Sequence, residues 1–479
     1  MKSVISREKK TALNWVEANV KRIADMSDTI FRYAEPALRE YKSSKLISDF
    51  LEENDFQVDT NIAGLPTAFL ATYGSGKPVI ATYGEYDARR GLSQKAVPYK
   101  EPVIPYGPGF TDAHNMLGVA PAGAFVATKV AMEEHDLKGT LKYFGTPAEK
   151  LLLGKPYMAR DGYFEGLDAV LGFHPGNYAA CRTTTVLWDN WPNAYKMVAY
   201  NFHALESRLG YPNPNALDAA ILMATMVSSI GMRVGKVIMY GGLRDYSQII
   251  FMWSRPTLYE INVVSEMLER CAKAAASAIN CRLATRLITH QRTGQPNHVM
   301  AELVYRNLLL VGPPRYSEEE KEFGREIQRN LGVEPMEEPY IETITPVQEA
   351  DTIYTGVIPD DSAELTWHAP MARLYVAKDL KPVSGINYPR TLARWVPSAL
   401  CGMGVTHKMG VVAAKTLALS ALELLTTPSE LLRAKEEYEA RIQEYKEEPL
   451  IPPGIKPPIE LKWSSLNYIQ ETSPSIARN

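Results

Sequence analysis

The sequence predicts an α/β protein with a mostly parallel sheet, interrupted by a smaller βαββαβ domain of ferredoxin-like type. Three observations predict this. Short apolar strands alternate with helical runs up to about His174, the pattern of a layered α/β unit. Near Ala194 the order changes to strand, helix, strand, strand, helix, strand. Helical patterns then resume, so the first unit is discontinuous. The expected boundaries are 1–193, an insertion at 194–294, and 295–479 with a C-terminal helical tail. At roughly 150 residues per domain, a chain of 479 residues accommodates this division.

Taken in order, Leu13, Val16, Val20 and Ile23 recur at helical spacing, and a second helical run covers Leu38 to Leu51. Strands are expected at 68–73 and 78–83, a helix at 116–134, and strands at 140–145 and 169–174. In the insertion, strands at 195–203, 236–240, 247–254 and 282–291 surround helices at 216–232 and 258–278. Helices follow at 299–310 and 318–331. A polar, proline-dotted stretch runs to Cys401, a long helix covers 408–425, and a charged helix covers 429–448.

Composition narrows the function. Apolar residues make up 46% and charged residues 22%, ordinary for a globular protein. A net charge of −3 with no basic stripe argues against a nucleic-acid partner. Four scattered cysteines, without a Cys-x-x-Cys pair, fit a reducing compartment rather than a disulfide scaffold. The first ten residues lack the apolar core of a signal peptide, and the apolar run at 410–425 carries Lys415 and Glu423. The expected setting is therefore the cytoplasm, with no membrane partner.

Four motifs carry the chemistry. Asp112 and His114 stand two apart on a glycine-containing loop, a spacing that lets both face one ion. Glu149 and Lys150 follow the strand ending at Phe144, and His174 ends the next strand. Catalytic groups gather at such carboxyl ends of parallel strands. His407 stands at the entrance of the long helix. Each alone has an ordinary reading: a turn aspartate, a surface ion pair, a core histidine, a helix-capping histidine. Their joint order carries more than any one.

With Gly84-Glu85-Tyr86-Asp87-Ala88, Pro147-Ala148-Glu149, His174-Pro175 and His407-Lys408, this order resembles the aminoacylase/carboxypeptidase-G metallopeptidase family, and within it the aminobenzoyl-glutamate hydrolase B-subunit-like branch. The resemblance implies that the larger domain is catalytic and the inserted one a dimerisation or lid domain, giving a homodimer or higher homo-oligomer. It implies Asp112, His114 and His174 as metal ligands, Glu149 as general base, and Asp87 as the group that orients a ligand histidine. The family binds two divalent ions, but Lys150 stands where it has a second glutamate, and an ammonium cannot ligate a cation. One divalent ion per subunit is expected, whether manganese, zinc, cobalt or iron, with Lys150 supplying part of the lost charge and His407 facing substrate.

In the lid, Arg208 takes the place where the family has a histidine, with His203 close by. Arg208 suits a carboxylate or nitro group. His368, on an apolar loop, is a further candidate for the substrate pocket. His135 reads as solvated, and His290 and His298 as structural groups near the hinge.

Three functions follow as expectations. The first is an aminohydrolase replacing an aryl amine by hydroxyl on a small aromatic acid, of the 5-nitroanthranilate to 5-nitrosalicylate type, with Glu149 as base. The second is an amidohydrolase cleaving an N-acyl or aminobenzoyl amino acid. The third is an inactive small-molecule-binding dimer.

Overall fold

A computed structural model describes residues 5–176, 183–207, 213–231, 234, 237–240, 244–349, 359–382, 393–444 and 449–460. Among these residues the larger sheet has seven strands: β1 Gln57–Thr60, β2 Phe69–Ser75, β3 Val79–Gly84, β4 Gly139–Gly145, β5 Ala169–Gly176, β6 Thr185–Val186 and β11 Met371–Ala377. The order is β1-β2-β4-β3-β5-β11-β6. The pairs β4–β3, β3–β5 and β5–β11 are parallel, and the flanking pairs are antiparallel. The parallel strands are buried along nearly their whole length, which is why they read as continuous apolar runs.

The second sheet, of β7 Ala194–Ala204, β8 Val237–Tyr240, β9 Tyr246–Arg255 and β10 Cys281–Gln291, is antiparallel in the order β10-β7-β9-β8. Helices Ala216–Ser229 and Leu258–Ile279 complete the βαββαβ order expected from the sequence. It has its own core around Phe202, Met223, Phe251, Trp253 and Leu268, separate from the main core.

Two differences from the sequence reading concern helix breaks. The run through Leu13 and Ile23 is two helices, Arg7–Ala18 and Val20–Tyr33, divided at Asn19, whose side chain donates to the Trp15 carbonyl. The run from residue 116 is likewise divided, into His114–Leu117 and Val119–Glu134. At the division, a Cβ on Gly118 would lie 2.7 Å from Ile47 and 3.1 Å from the Glu85 carbonyl. The glycine allows the backbone after β3 to pass close to this helix entrance. A third difference is β11, which lies inside the stretch read as polar and occupies the interior of the sheet.

The helix Gly404–Thr426 is long and apolar enough to cross a membrane, but 72% of its most apolar window is buried inside the protein. It is a core helix, with Met409, Ala413, Leu417 and Ala421 in the main cluster.

Candidate active site

The carboxyl ends of β3, β4 and β5 bring the candidate residues together. Thr146 ties the ends of β3 and β4, its N–H and hydroxyl both donating to the Gly84 carbonyl at 2.9 and 3.0 Å. Glu85 therefore leaves β3, and Glu149 leaves β4, on the same edge. Ala148 adopts a left-handed backbone (φ +60°) and donates its N–H to Glu40 Oε1 at 2.8 Å, turning Glu149 and Lys150 inward. Ala113 (φ +50°) makes the equivalent turn between Asp112 and His114.

Both histidines are oriented through Nδ1. His114 Nδ1 lies 2.8 Å from Asp87 Oδ1, while Asp87 Oδ2 accepts the Lys150 N–H at 2.8 Å. His174 Nδ1 lies 2.8 Å from the Pro175 carbonyl. A carbonyl can only accept, so the proton sits on Nδ1 of His174 and its Nε2 carries a lone pair. Burial, with the nearby Arg373 charge, pushes the His174 pKa down to about 3, which keeps that ring neutral.

The Lys150 ammonium occupies the space between these groups. Its Nζ lies 2.8 Å from Asp112 Oδ2, 2.7 Å from Glu149 Oε2 and 2.7 Å from His114 Nε2. Burial opposes the charge of Asp112, but the Lys150 ammonium beside it holds its carboxyl well below the ordinary range. Burial raises Glu149 to about 8, against the pull of Lys150.

The fit to a divalent ion rests on the donors. Among the described residues, Glu85, His114 and His174 have ligand atoms all within 4.8 Å of one another, as do Asp87, His114 and Glu149, and Glu85, Asp360 and Asp361. Glu85 Oε2 and Asp112 Oδ1 are buried acceptors without a hydrogen-bond partner. Buried carboxylate oxygens are rarely left so, and two beside paired imidazoles make a nitrogen–oxygen set suited to zinc, manganese, cobalt or iron. The residues fit the group.

The other expected residues make different contacts or fall outside the described residues. His407 pairs through Nε2 with Asp28 Oδ1 at 2.7 Å, not with the cluster. His368 packs edge-on to Phe164 and lies 3.3 Å from Arg292, beside the buried Arg292–Glu364 pair. His203 is at the far end of β7, its ring tilted against Tyr246. Tyr195, at the near end of β7, feels the charge of Glu149. Eight residues of strand separate the two, about 26 Å at roughly 3.3 Å per residue, so His203 is remote from its own subunit's cluster. Arg208 lies outside the described residues.

Sequence reasoning missed a buried ionic layer under the cluster. Lys155 Nζ lies 2.7 Å from Glu85 Oε1 and 2.5 Å from Asp361 Oδ1, and Arg373 pairs with Asp360. Glu85 stood in one of the motifs without a role of its own. The one available clue was its place directly after β3, the same clue that marked Glu149.

No family model matches the sequence. The B-subunit of the p-aminobenzoyl-glutamate hydrolase of Escherichia coli (strain K12) is 26% identical over 461 residues, covering 88% of this chain and 93% of that protein. The chain is similar to that hydrolase subunit along most of its length. The similarity spans both parts of the discontinuous domain and the insertion, as the order of motifs implied. A Xaa-Arg dipeptidase of Mus musculus is 26% identical over 297 residues, covering 57% of this chain and 64% of that protein. The solved structure of the aminobenzoyl-glutamate utilization protein from Klebsiella pneumoniae has the same fold, with a TM-score of 0.58 at 14% identity, over 87% of this chain and 99% of that one.

Proposed function

We propose that the chain is a hydrolase that uses one divalent metal per subunit to cleave the amide carbon–nitrogen bond of a small aromatic acyl–amino acid, as the name of its full-length relative describes. The observation that carries this reading is the meeting of His114, His174 and two unpartnered carboxylate oxygens beside Glu149, with the Lys150 ammonium beside them. Bound there, the ion supplies electrophilic assistance and makes water acidic enough to lose a proton near neutral pH.

This chain's residues do the rest. Glu149 takes a proton from the attacking water at Oε1 or Oε2 and passes it to the departing amine nitrogen. Burial raises the Glu149 carboxyl above its ordinary value, which makes its carboxylate a stronger base toward the attacking water. Lys150, anchored by Asp112, keeps a positive charge where the resemblance places a second metal ion. Asp87 holds His114 in orientation.

Replacement of an aryl amine by hydroxyl is the second reading. It is favoured by Lys150 alone, since attack on an electron-poor ring builds no localised carbonyl oxyanion. The amide reading takes precedence because the relatives named above are a hydrolase of aminobenzoyl-glutamate and a dipeptidase. We further infer a homodimer in which Arg208 or His203 reaches the neighbour's pocket. His203 is remote from its own cluster, so a role for it at a site requires a neighbouring subunit.

The test incubates metal-loaded protein with p-aminobenzoyl-glutamate and other N-acyl amino acids, and in parallel with aryl amines, following free amino acid and ammonia. Chelator-sensitive amide cleavage is expected. Ammonia from the aryl amines alone would establish the second reading, and no turnover of either class would leave a binding protein.

A further inference from the structure

Glu85 brings one of the two unpartnered oxygens to the reading above and Lys155 has no part in it, yet both side chains are completely buried. A buried ion is costly unless paired, and this pairing is one-sided. Lys155 donates to Glu85 Oε1 at 2.7 Å and is itself braced by Asp361. Glu85 Oε2 has no hydrogen-bond partner and faces His114 Nε2 at 3.3 Å. A carboxylate held by one oxygen with the other directed at a ring nitrogen has the form of a ligand fixed from behind.

Asp112 is differently placed. Its Oδ2 is held by Lys150 and lies 3.8 Å from His114 Nε2. Its Oδ1 is also unpartnered, but among the described residues no group within 4.8 Å joins Asp112 to both imidazoles, whereas Glu85 joins them. We propose that Glu85, turned inward by Lys155, is the carboxylate that shares a single divalent ion with His114 and His174, and that Asp112 serves as the anchor of Lys150. The inference rests on the metal-dependent reading and names the ligand set within it. Glu85 is then a ligand and Lys155 a positioning residue.

The test measures Co(II) affinity of the stripped full-length protein by competition with a chromophoric chelator, following the visible absorption of the bound ion. Glu85→Gln should weaken binding by about a hundredfold or more. Lys155→Met should weaken it by roughly 10- to 100-fold, the usual effect of losing a group behind a ligand, with partial rescue by Lys155→Arg. Asp112→Asn should stay within about threefold of the parent. Glu85→His, which keeps a donor, should retain the ion with an altered absorption band. Should Glu85→Gln fail to fold, anomalous diffraction from the Co(II)-loaded parent decides, with Glu85 expected at about 2.0–2.2 Å from the ion. Loss of binding in Asp112→Asn with retention in Glu85→Gln, or an ion on Asp112 and not Glu85, overturns the assignment alone. A parent that binds no divalent ion overturns both this assignment and the metal-dependent reading.

Discussion

At the amino ends of the parallel strands, Asp168 precedes β5 and accepts the Val79 N–H at 2.6 Å, clamping β3 to β5. Lys77 and Lys435 close on the same carboxylate. At the carboxyl ends of the same strands, Glu85 and Asp112 each keep a buried oxygen without a partner, and Lys150 is shared among three groups. One edge is satisfied within the chain, and the other is left short of a cation. The difference teaches where binding energy is kept: an edge that has met its own hydrogen bonds serves stability, whereas one that has not serves a ligand.

The largest break in this comparison should come from Glu149→Gln. The amide keeps the shape but cannot accept the proton, so turnover should fall by about two to four orders of magnitude with fold and bound metal unchanged. Steady-state kinetics beside metal analysis checks it. Loss of metal together with activity would make Glu149 a ligand instead.

Lys150→Met should come next. It leaves Asp112 and Glu149 buried without their shared cation, at a cost of about 3–5 kcal/mol in the metal-free protein. Saturating divalent metal should restore more stability to the variant than to the parent, measured by denaturant unfolding with and without the ion. Lys150→Glu should go further and make room for a second ion.

Asp168→Ala sharpens the other side. Removing the acceptor leaves the Val79 N–H unmet and should cost roughly 1–3 kcal/mol of unfolding free energy without changing kcat. A matching fall in kcat would show that the two edges are not independent. The smallest effect is in acid. Burial opposes the charge of Asp168, but its hydrogen bonds from Lys435, Val79 and Lys77 hold its pKa below the ordinary value. A depressed carboxyl stabilises the fold above its unfolded pKa and loses that contribution as pH falls through the folded one. The stability gap between parent and Asp168→Ala should therefore be constant from neutrality to about pH 4 and narrow below it.

Periodicity revealed the order of the strands and helices in the insertion. It did not reveal β11, whose run Met371–Ala377 carries Arg373 in its middle. A fully buried strand tolerates that charge only because Asp360 comes from elsewhere in the chain to meet it, and no local pattern records such a partner. The helix breaks at Asn19 and Gly118 were hidden in the same way, since apolar spacing continues through both. In the site, Asp112, His114, Glu149, Lys150 and His174 were legible from motif order, and the structure gathers all five. Asp87 was read as orienting a histidine, and it does contact His114. His407 and His368, expected to face substrate, have Asp28 and Arg292 as neighbours. Lys155, Asp360 and Asp361 act through burial, which a sequence does not display.

The count of metal ions per subunit tests the central claim most directly. Parent and Lys150→Glu proteins, loaded with excess manganese or zinc and freed of unbound ion, would be analysed by elemental emission against protein concentration. The account predicts one ion per subunit in the parent and two in the variant. Two ions in the parent, or none, would contradict it.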